Sequence, residues 1–313
     1  AASPKPAEHR PAALASQSAG SEGRNGGEIK LLPDVVDFRE LAVAYPPLLP
    51  FLFTTKAQTG WTTVDWGDPA AVRVVTAAYL KAFFGVDGWG LDPGYLCPPV
   101  PRSVAYVEAV AKLLCRRGVT GPVRCLDVGT GASGILAILA HKGLGWAVVG
   151  SDVDKEAEDH LHGVLEAAGI NMEVRHQPDP NKIFENVVSK ADVFDCCICN
   201  PPFHETMDYS SGAAGRKWAG LGKGDKTTKN YAGRPAELCC PGGEVGFVGT
   251  MVAESASCRQ ISLFTALISR SSSLPPLRDA VEQRGGRHET LDLVLGTNRK
   301  WVLCWWYPSP SQP

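Results

Sequence analysis

Apolar residues recur at helical spacing over residues 37–45 and again over 69–84. The second stretch opens with Asp68-Pro69, an acid suited to an N-cap followed by a proline suited to the first helical position. Pro98, Pro99 and Pro101 then break the pattern before a third helical stretch over about residues 102–116. From there short apolar runs alternate with helical patterns. Residues 123–128 read as a strand ending in a glycine turn, 132–142 as a helix, 147–151 as a strand, and the chain through 168 as a helix. Residues 172–176 and 194–199 read as further strands, the latter closed by Asn200-Pro201-Pro202. Residues 290–295 and 301–307 flank a Gly-Thr-Asn-Arg turn and predict an antiparallel hairpin. This alternation predicts an α/β fold with a mainly parallel sheet covered by helices on both faces. Residues 244–257 read as a strand on propensity, because Gly246 and Gly249 disfavour a helix.

Composition narrows the picture. Of 313 residues, 44% are hydrophobic and 20% charged, an ordinary globular balance. The formal net charge of −2 gives no overall pull toward nucleic acid, so any basic surface is local. Residues 1–30 carry only Leu14 and Ile29 as large aliphatic residues, so the first 34 residues are expected to form a tail without a core. No signal-peptide core and no apolar run of membrane-spanning length is present in the sequence. The ten cysteines follow no secreted-type framework, and several sit in strand-like apolar runs, which points to a reduced intracellular protein. Cys196-x-x-Cys199 has zinc spacing, but on an alternating strand the pair diverges and no second pair follows, so no metal is expected.

Two segments carry chemistry. Asp127-Val128-Gly129-Thr130-Gly131 joins the first strand of the alternating region to its helix, where glycines permit tight turning and close approach of a ligand. The next strand ends in Asp152, an acid placed to accept hydrogen bonds from the ribose of a nucleoside cofactor. The glycine turn alone also fits dinucleotide binders. Asn200-Pro201-Pro202-Phe203 closes the fourth strand of this region at the edge where α/β sheets bind ligands. The lone pair of an aromatic or amide NH2 is delocalised and poorly nucleophilic. An Asn200 side-chain oxygen and a Pro201 carbonyl, each accepting one N–H, would free that lone pair, while Phe203 stacks on the flat target.

These motifs resemble the class I amino-methyltransferases that act on adenine N6 or glutamine N5. With Gly242-Gly243-Glu244, Ser273-Leu274-Pro275-Pro276-Leu277 and the leader segments Asp37-Phe38, Ala44-Tyr45-Pro46 and Asp68-Pro69-Ala70-Ala71-Val72-Arg73, the match is to the methyltransferase-like 16 family. It spans about residues 35–307. The resemblance implies a Rossmann-like, S-adenosylmethionine-dependent fold with a seven-stranded sheet. It implies transfer to adenine N6 in a bulged or unpaired position of a structured RNA, in the nucleus or cytoplasm. It implies a helical leader over 35–101, a methyltransferase domain over 102–308 containing a basic loop at 204–236, and a tail at 309–313. It also implies a helix near 244–257 and the next strand near 263–269, against propensity. S-adenosyl-L-methionine is then expected on Asp127, Gly129, Thr130, Gly131, Asp152 and Asn200. The family's carboxylate-holding arginine matches Ser103 without a gap; Arg102 beside it is assigned that role, and Asn181 is assigned a second cofactor contact.

Between the Asn-Pro-Pro-Phe motif and Gly242 stand Arg216, Lys217, Lys223, Lys226, Lys229 and Arg234, interleaved with Trp218 and Tyr231. Such a segment suits contact with an RNA backbone and its bases. Two other readings stand beside RNA methylation: transfer to a protein glutamine N5, and a silent RNA-binding protein of the same fold. The sequence leaves the oligomeric state open.

Overall fold

A computed structural model describes residues 29–55, 60–203, 233–296 and 298–308. The predicted RNA-contacting residues Arg216, Lys217, Lys223, Lys226 and Lys229 lie outside the described residues. The leader contains helices α1 (Phe38–Ala44) and α2 (Pro69–Phe84). Helix α2 begins where Asp68 accepts the Ala70 N–H and stops at Gly85, whose φ of 62° turns the chain left-handed. A short antiparallel ribbon, β1 (Leu52–Thr54) and β2 (Thr62–Val64), lies between them. At three residues each, these strands are too short to announce themselves by alternation. The fold also begins earlier than the expected boundary at residue 35. Ile29, Leu31 and Leu32 pack on the core, and the Leu31 N–H reaches Glu108 at 2.5 Å.

Helix α3 (Val100–Arg116) leads into β3 (Arg124–Val128), α4 (Ile135–Leu144), β4 (Ala147–Asp152), α5 (Lys155–Ala167) and β5 (Glu173–His176). The chain then crosses back to β6 (Cys196–Cys199), followed by α6 (Pro235–Leu238), α7 (Gly243–Ser255), β7 (Phe264–Ile268), α8 (Leu274–Glu282), β8 (Arg287–Leu295) and β9 (Asn298–Trp306). The seven strands order β5-β4-β3-β6-β7-β9-β8, with β5 through β7 parallel and the β8–β9 hairpin antiparallel. The order reverses between β3 and β6, which opens a crevice at their carboxyl ends.

Two apolar cores flank the sheet. Cys125, Cys196 and Ile198 face the one built with α2, α3, α4 and the leader, while Leu126, Cys197 and Cys199 face the one built with α7 and α8. Strand alternation thus sends Cys196 and Cys199 to opposite faces of the sheet. Residues 243–255 form the helix that the resemblance implied and that propensity missed. The helix buries Val248, Met251 and Val252. Gly246 is needed there for close approach, since a Cβ would lie 2.3 Å from the Pro241 carbonyl oxygen. Glu244 anchors the helix across the end of β7 by accepting from Ser269 N at 2.5 Å and Arg270 N at 3.4 Å. Packing and this anchor outweigh the roughly 1 kcal/mol helix penalty of each glycine.

Candidate active site

The glycine turn is fastened to the neighbouring strand. Gly129 N and Thr130 N both donate to the Ser151 carbonyl, at 2.9 and 3.0 Å. The Thr130 hydroxyl accepts from Ser151 N and donates to the Asp127 carbonyl, each at 3.0 Å. Gly150 makes room for it, since a Cβ there would meet the Thr130 Oγ1 at 2.7 Å. Gly129, Gly131 and Gly134 all hold positive φ, between 59° and 69°, which an L side chain would strain. From the leader, the Trp89 indole N–H donates to the Ser133 carbonyl at 2.9 Å and steadies the far side of the turn.

This turn floors a cavity of about 290 Å3 at the β3–β6 reversal. Asp127, Gly129, Thr130, Gly131, Asp152, Asn200 and Pro202 line it together. The Asp152 carboxylate accepts Gly131 N at 2.8 Å through one oxygen and Asp154 N at 2.9 Å through the other. Burial raises its pKa, against those backbone bonds. Both carboxyl oxygens of Asp127 are buried with no hydrogen-bond partner among the described residues. Burial, with Asp152 nearby, pushes its pKa up to about 7. The Asn200 Oδ1 is likewise buried and partnerless among the described residues. Four other expected site residues fall outside the lining: Arg102, Asn181, Pro201 and Phe203. Asn181 lies between Pro180 and Lys182, which do line it, and its own amide donates to Asp179 at 3.1 Å. Ser103, the gapless match for the arginine, is buried with its hydroxyl on the Pro99 carbonyl. The Arg102 charge instead lies near Lys300, in whose lowered pKa it and Arg270 share with burial.

Arg234 departs from the expected phosphate contact. Its guanidinium reaches Glu156 at 2.6 Å and Asp154 at 3.6 Å, and lies 4.1 Å from the Tyr95 ring centre. Three residues on, Glu237 is a pocket wall that sequence reasoning missed. One oxygen accepts Leu96 N at 2.9 Å and Arg234 N at 2.7 Å, which ties the segment to the leader. Its other oxygen would lie 3.8 Å from a Cβ on Gly131, so it faces the glycine turn. Burial raises the pKa of this carboxyl. No spacing marks it, because it follows a long connection. Gln177 is a second missed wall, and its position directly after β5, at the same sheet edge as Asp152, was the available signal.

The donor set fits a nucleoside sulfonium cofactor. A carboxylate at the end of β4 suits ribose hydroxyls, the surplus of carboxylates suits a cation, and Val128, Ile135, Leu136, Ile183 and Phe247 offer apolar walls to a base. Among the described residues no group of three or more His, Cys, Asp or Glu could hold a metal, and no helix is long and apolar enough to cross a membrane.

Comparison with known proteins agrees with this geometry. A protein called ribosomal RNA large subunit methyltransferase F from Pseudomonas savastanoi pv. phaseolicola is 34% identical over 291 residues, covering 88% of each chain. One of the same name from Pseudomonas aeruginosa is 36% identical over 290 residues, covering 88% of this chain and 86% of its own. The human METTL16 catalytic domain solved with a MAT2A 3′UTR hairpin superposes with a TM-score of 0.70 at 23% identity, covering 88% of this chain and 95% of that one. The METTL16 N-terminal domain solved with SAH superposes at 0.68 and 22% identity, with the same coverage, and shows the same fold. The family model Methyltransf_10, described as RNA methyltransferase, matches residues 30–309, and the chain therefore belongs to this family of S-adenosylmethionine-dependent RNA methyltransferases.

Proposed function

We propose that the protein methylates N6 of an adenosine in large-subunit ribosomal RNA. The observation that carries methylation of an NH2 group is the buried Asn200 Oδ1, without a partner among the described residues, on the wall of the cavity that also holds Asp152; the choice of adenine over a protein amide follows the RNA methyltransferase family. The ribosomal target follows the names of relatives that match this chain at 34–36% identity. S-adenosyl-L-methionine, when bound, would supply an electrophilic methyl group and leave as the neutral thioether, its S–C bond breaking as the N–C bond forms. The chain's own residues then prepare the acceptor. Asn200 Oδ1 accepts one hydrogen of the exocyclic amine and the Pro201 carbonyl accepts the other, so the nitrogen lone pair leaves conjugation with the ring. Pro201 and Pro202 carry no N–H, so neither donates to the acceptor oxygens that the amine needs. Half-exposed Phe203 stands ready to stack on the base, which must leave its helix to reach it. As the N–C bond forms the amine becomes acidic, and its proton leaves to water without a carboxylate base.

Arg216, Lys217, Lys223, Lys226 and Lys229 supply the phosphate contacts in this reading, whereas Arg234 braces the cofactor rim. Neutralising Lys223, Lys226 and Lys229 together should weaken RNA binding and shallow its salt dependence by roughly two to three in slope. An unchanged slope in a filter-binding series would remove them from the interface. The relatives at 34% and 36% identity are bacterial, so they lend no support to a nuclear placement. The substrate test offers protein-free large-subunit RNA, a short RNA hairpin and a glutamine peptide side by side with labelled cofactor. Label in N6-methyladenosine of the ribosomal RNA is expected. Label in the hairpin alone would move the target to another RNA, and label in the peptide would move it to a protein amide.

A further inference from the structure

Asn200 is followed by two prolines, so the next two residues offer no N–H to fasten the motif. Its placement depends on the strand that delivers it, and that strand is poorly paired on one side. β6 registers with β3 over four residue pairs but with β7 through one, Cys197 opposite Phe264. The last main-chain bond across this seam that lies outside the regular ladder runs from Cys197 N to the Leu263 carbonyl at 2.8 Å. Past the single ladder pair, side chains add the remaining bonds. The Thr265 hydroxyl donates to the Cys197 carbonyl at 2.8 Å. The Tyr106 hydroxyl lies 2.7 Å from the Thr265 Oγ1 and 3.0 Å from Cys199 N.

The direction of every proton in this chain is determined. Cys199 N–H is a donor, so the Tyr106 oxygen accepts there. A carbonyl only accepts, so the single Thr265 proton goes to Cys197. The Tyr106 proton must then go to the Thr265 oxygen. The three bonds leave no hydroxyl proton unused, and Tyr106 and Thr265 are both fully buried. Buried networks of this kind hold one arrangement, because breaking any member strands another without water to replace it.

We propose that Tyr106, acting through Cys199 and Thr265, is a positioning residue for Asn200: helix α3 reaches across the open β6–β7 seam and sets the last strand residue before the motif. The proposal rests on Asn200 being the group that takes the target amine hydrogens. Tyr106 itself lines no part of the cavity and touches neither cofactor nor base in this account. Its loss therefore acts on the methyl-transfer step and not on ligand affinity.

Tyr106→Phe keeps the ring and removes the hydroxyl. In the full chain it should lower kcat about 10- to 100-fold, the loss expected when a reacting group shifts by about an ångström. Cofactor Kd by calorimetry and RNA Kd by filter binding should stay within about twofold of the parent. A kcat within twofold of the parent would overturn the proposal, as would Kd values that rise in step with the fall in kcat. If Tyr106→Phe does not fold, Thr265→Val and Thr265→Ser carry the test. Val removes the hydroxyl and should lower kcat, whereas Ser keeps it and should restore kcat to within a few-fold. Equal kcat for the two would overturn the proposal. Asn200→Ala, run in parallel, separates the two readings. Full activity in Asn200→Ala removes the catalytic reading, whereas inactive Asn200→Ala with unimpaired Tyr106→Phe removes only the positioning role.

Discussion

The two halves of the sheet's carboxyl edge are built on opposite plans. At the β4 end the acid expected to meet the cofactor is already held: Asp152 accepts two backbone N–H groups, and the Thr130 hydroxyl is spent between β3 and β4, while the Asp127 oxygens beside them have no partner among the described residues. At the β6 end the Asn200 Oδ1 is buried and has no partner among the described residues. The first arrangement fixes geometry before a cofactor arrives. The second leaves desolvated acceptor capacity that a target amine can satisfy. Burying an unpaired amide oxygen costs about 1–3 kcal/mol, and that cost is recovered when an N–H reaches it. In the proposed function, preorganisation serves binding at one end and an unmet hydrogen bond serves chemistry at the other.

The sharpest way to break this contrast is Asn200→Ala. Removal of a hydrogen-bonding group matched to the reacting atoms costs about 100- to 1,000-fold in kcat elsewhere. The same loss is expected here with cofactor and RNA affinities close to the parent. Parallel losses in kcat and in both affinities would make Asn200 a structural residue and dissolve the contrast.

Asp152→Ala should show the opposite profile. Losing a carboxylate that holds the turn and that the proposed function places on the ribose should weaken cofactor binding about 10- to 100-fold, read by calorimetry. RNA affinity without cofactor should be unaffected. An unchanged cofactor Kd would remove β4 from the binding site.

Asp127 sharpens the comparison through pH. Its folded-state pKa of about 7 lies above that of an ordinary carboxyl, so the folded protein keeps a proton that the unfolded chain releases above about pH 4. Its contribution to stability is greatest at low pH, declines as pH rises from about 4 to 7, and is flat beyond. Asp192 acts in the other sense, because Arg175 holds its carboxyl below the usual range. The difference between Asp127→Asn and the parent therefore isolates the effect. The variant should gain Tm relative to the parent as pH climbs from 4 to 7, and a pH-independent difference would refute the raised pKa.

The smallest effect is expected at Glu237. Glu237→Gln keeps an oxygen for Leu96 N and Arg234 N but loses a carboxylate facing the glycine turn. A several-fold weaker cofactor Kd with an unchanged Tm is expected. No change in either would confine Glu237 to bracing the segment.

Much of the cofactor half could be read from the chain, because its signals are local. A strand, a glycine turn and an acid at the end of the next strand lie within 26 residues, Asp127 to Asp152, and each is dictated by backbone geometry. Residues 69–84 were legible for the same reason, with Asp68, Pro69 and Gly85 marking both ends. What was illegible depends on distant packing. Within residues 243–255, Gly246 and Gly249 argue against a helix, and the buried face, the Glu244 anchor and the close approach of the Pro241 carbonyl explain it. Glu237 meets Leu96 across 141 residues, and Tyr106 meets Thr265 across 159. No spacing rule reaches so far. Arg234 reads from the sequence as an RNA contact because its acidic partners, Asp154 and Glu156, are 80 and 78 positions away in the chain.

The central claim is that Asn200 accepts the hydrogens of an adenine amine during methyl transfer. Its most direct test is transfer from labelled S-adenosylmethionine to large-subunit ribosomal RNA by the parent and by Asn200→Ala, with the product nucleosides separated. The account predicts label in N6-methyladenosine with the parent and near-complete loss of it with the variant. Label in another nucleoside, or N6-methyladenosine formed equally well by Asn200→Ala, would contradict it.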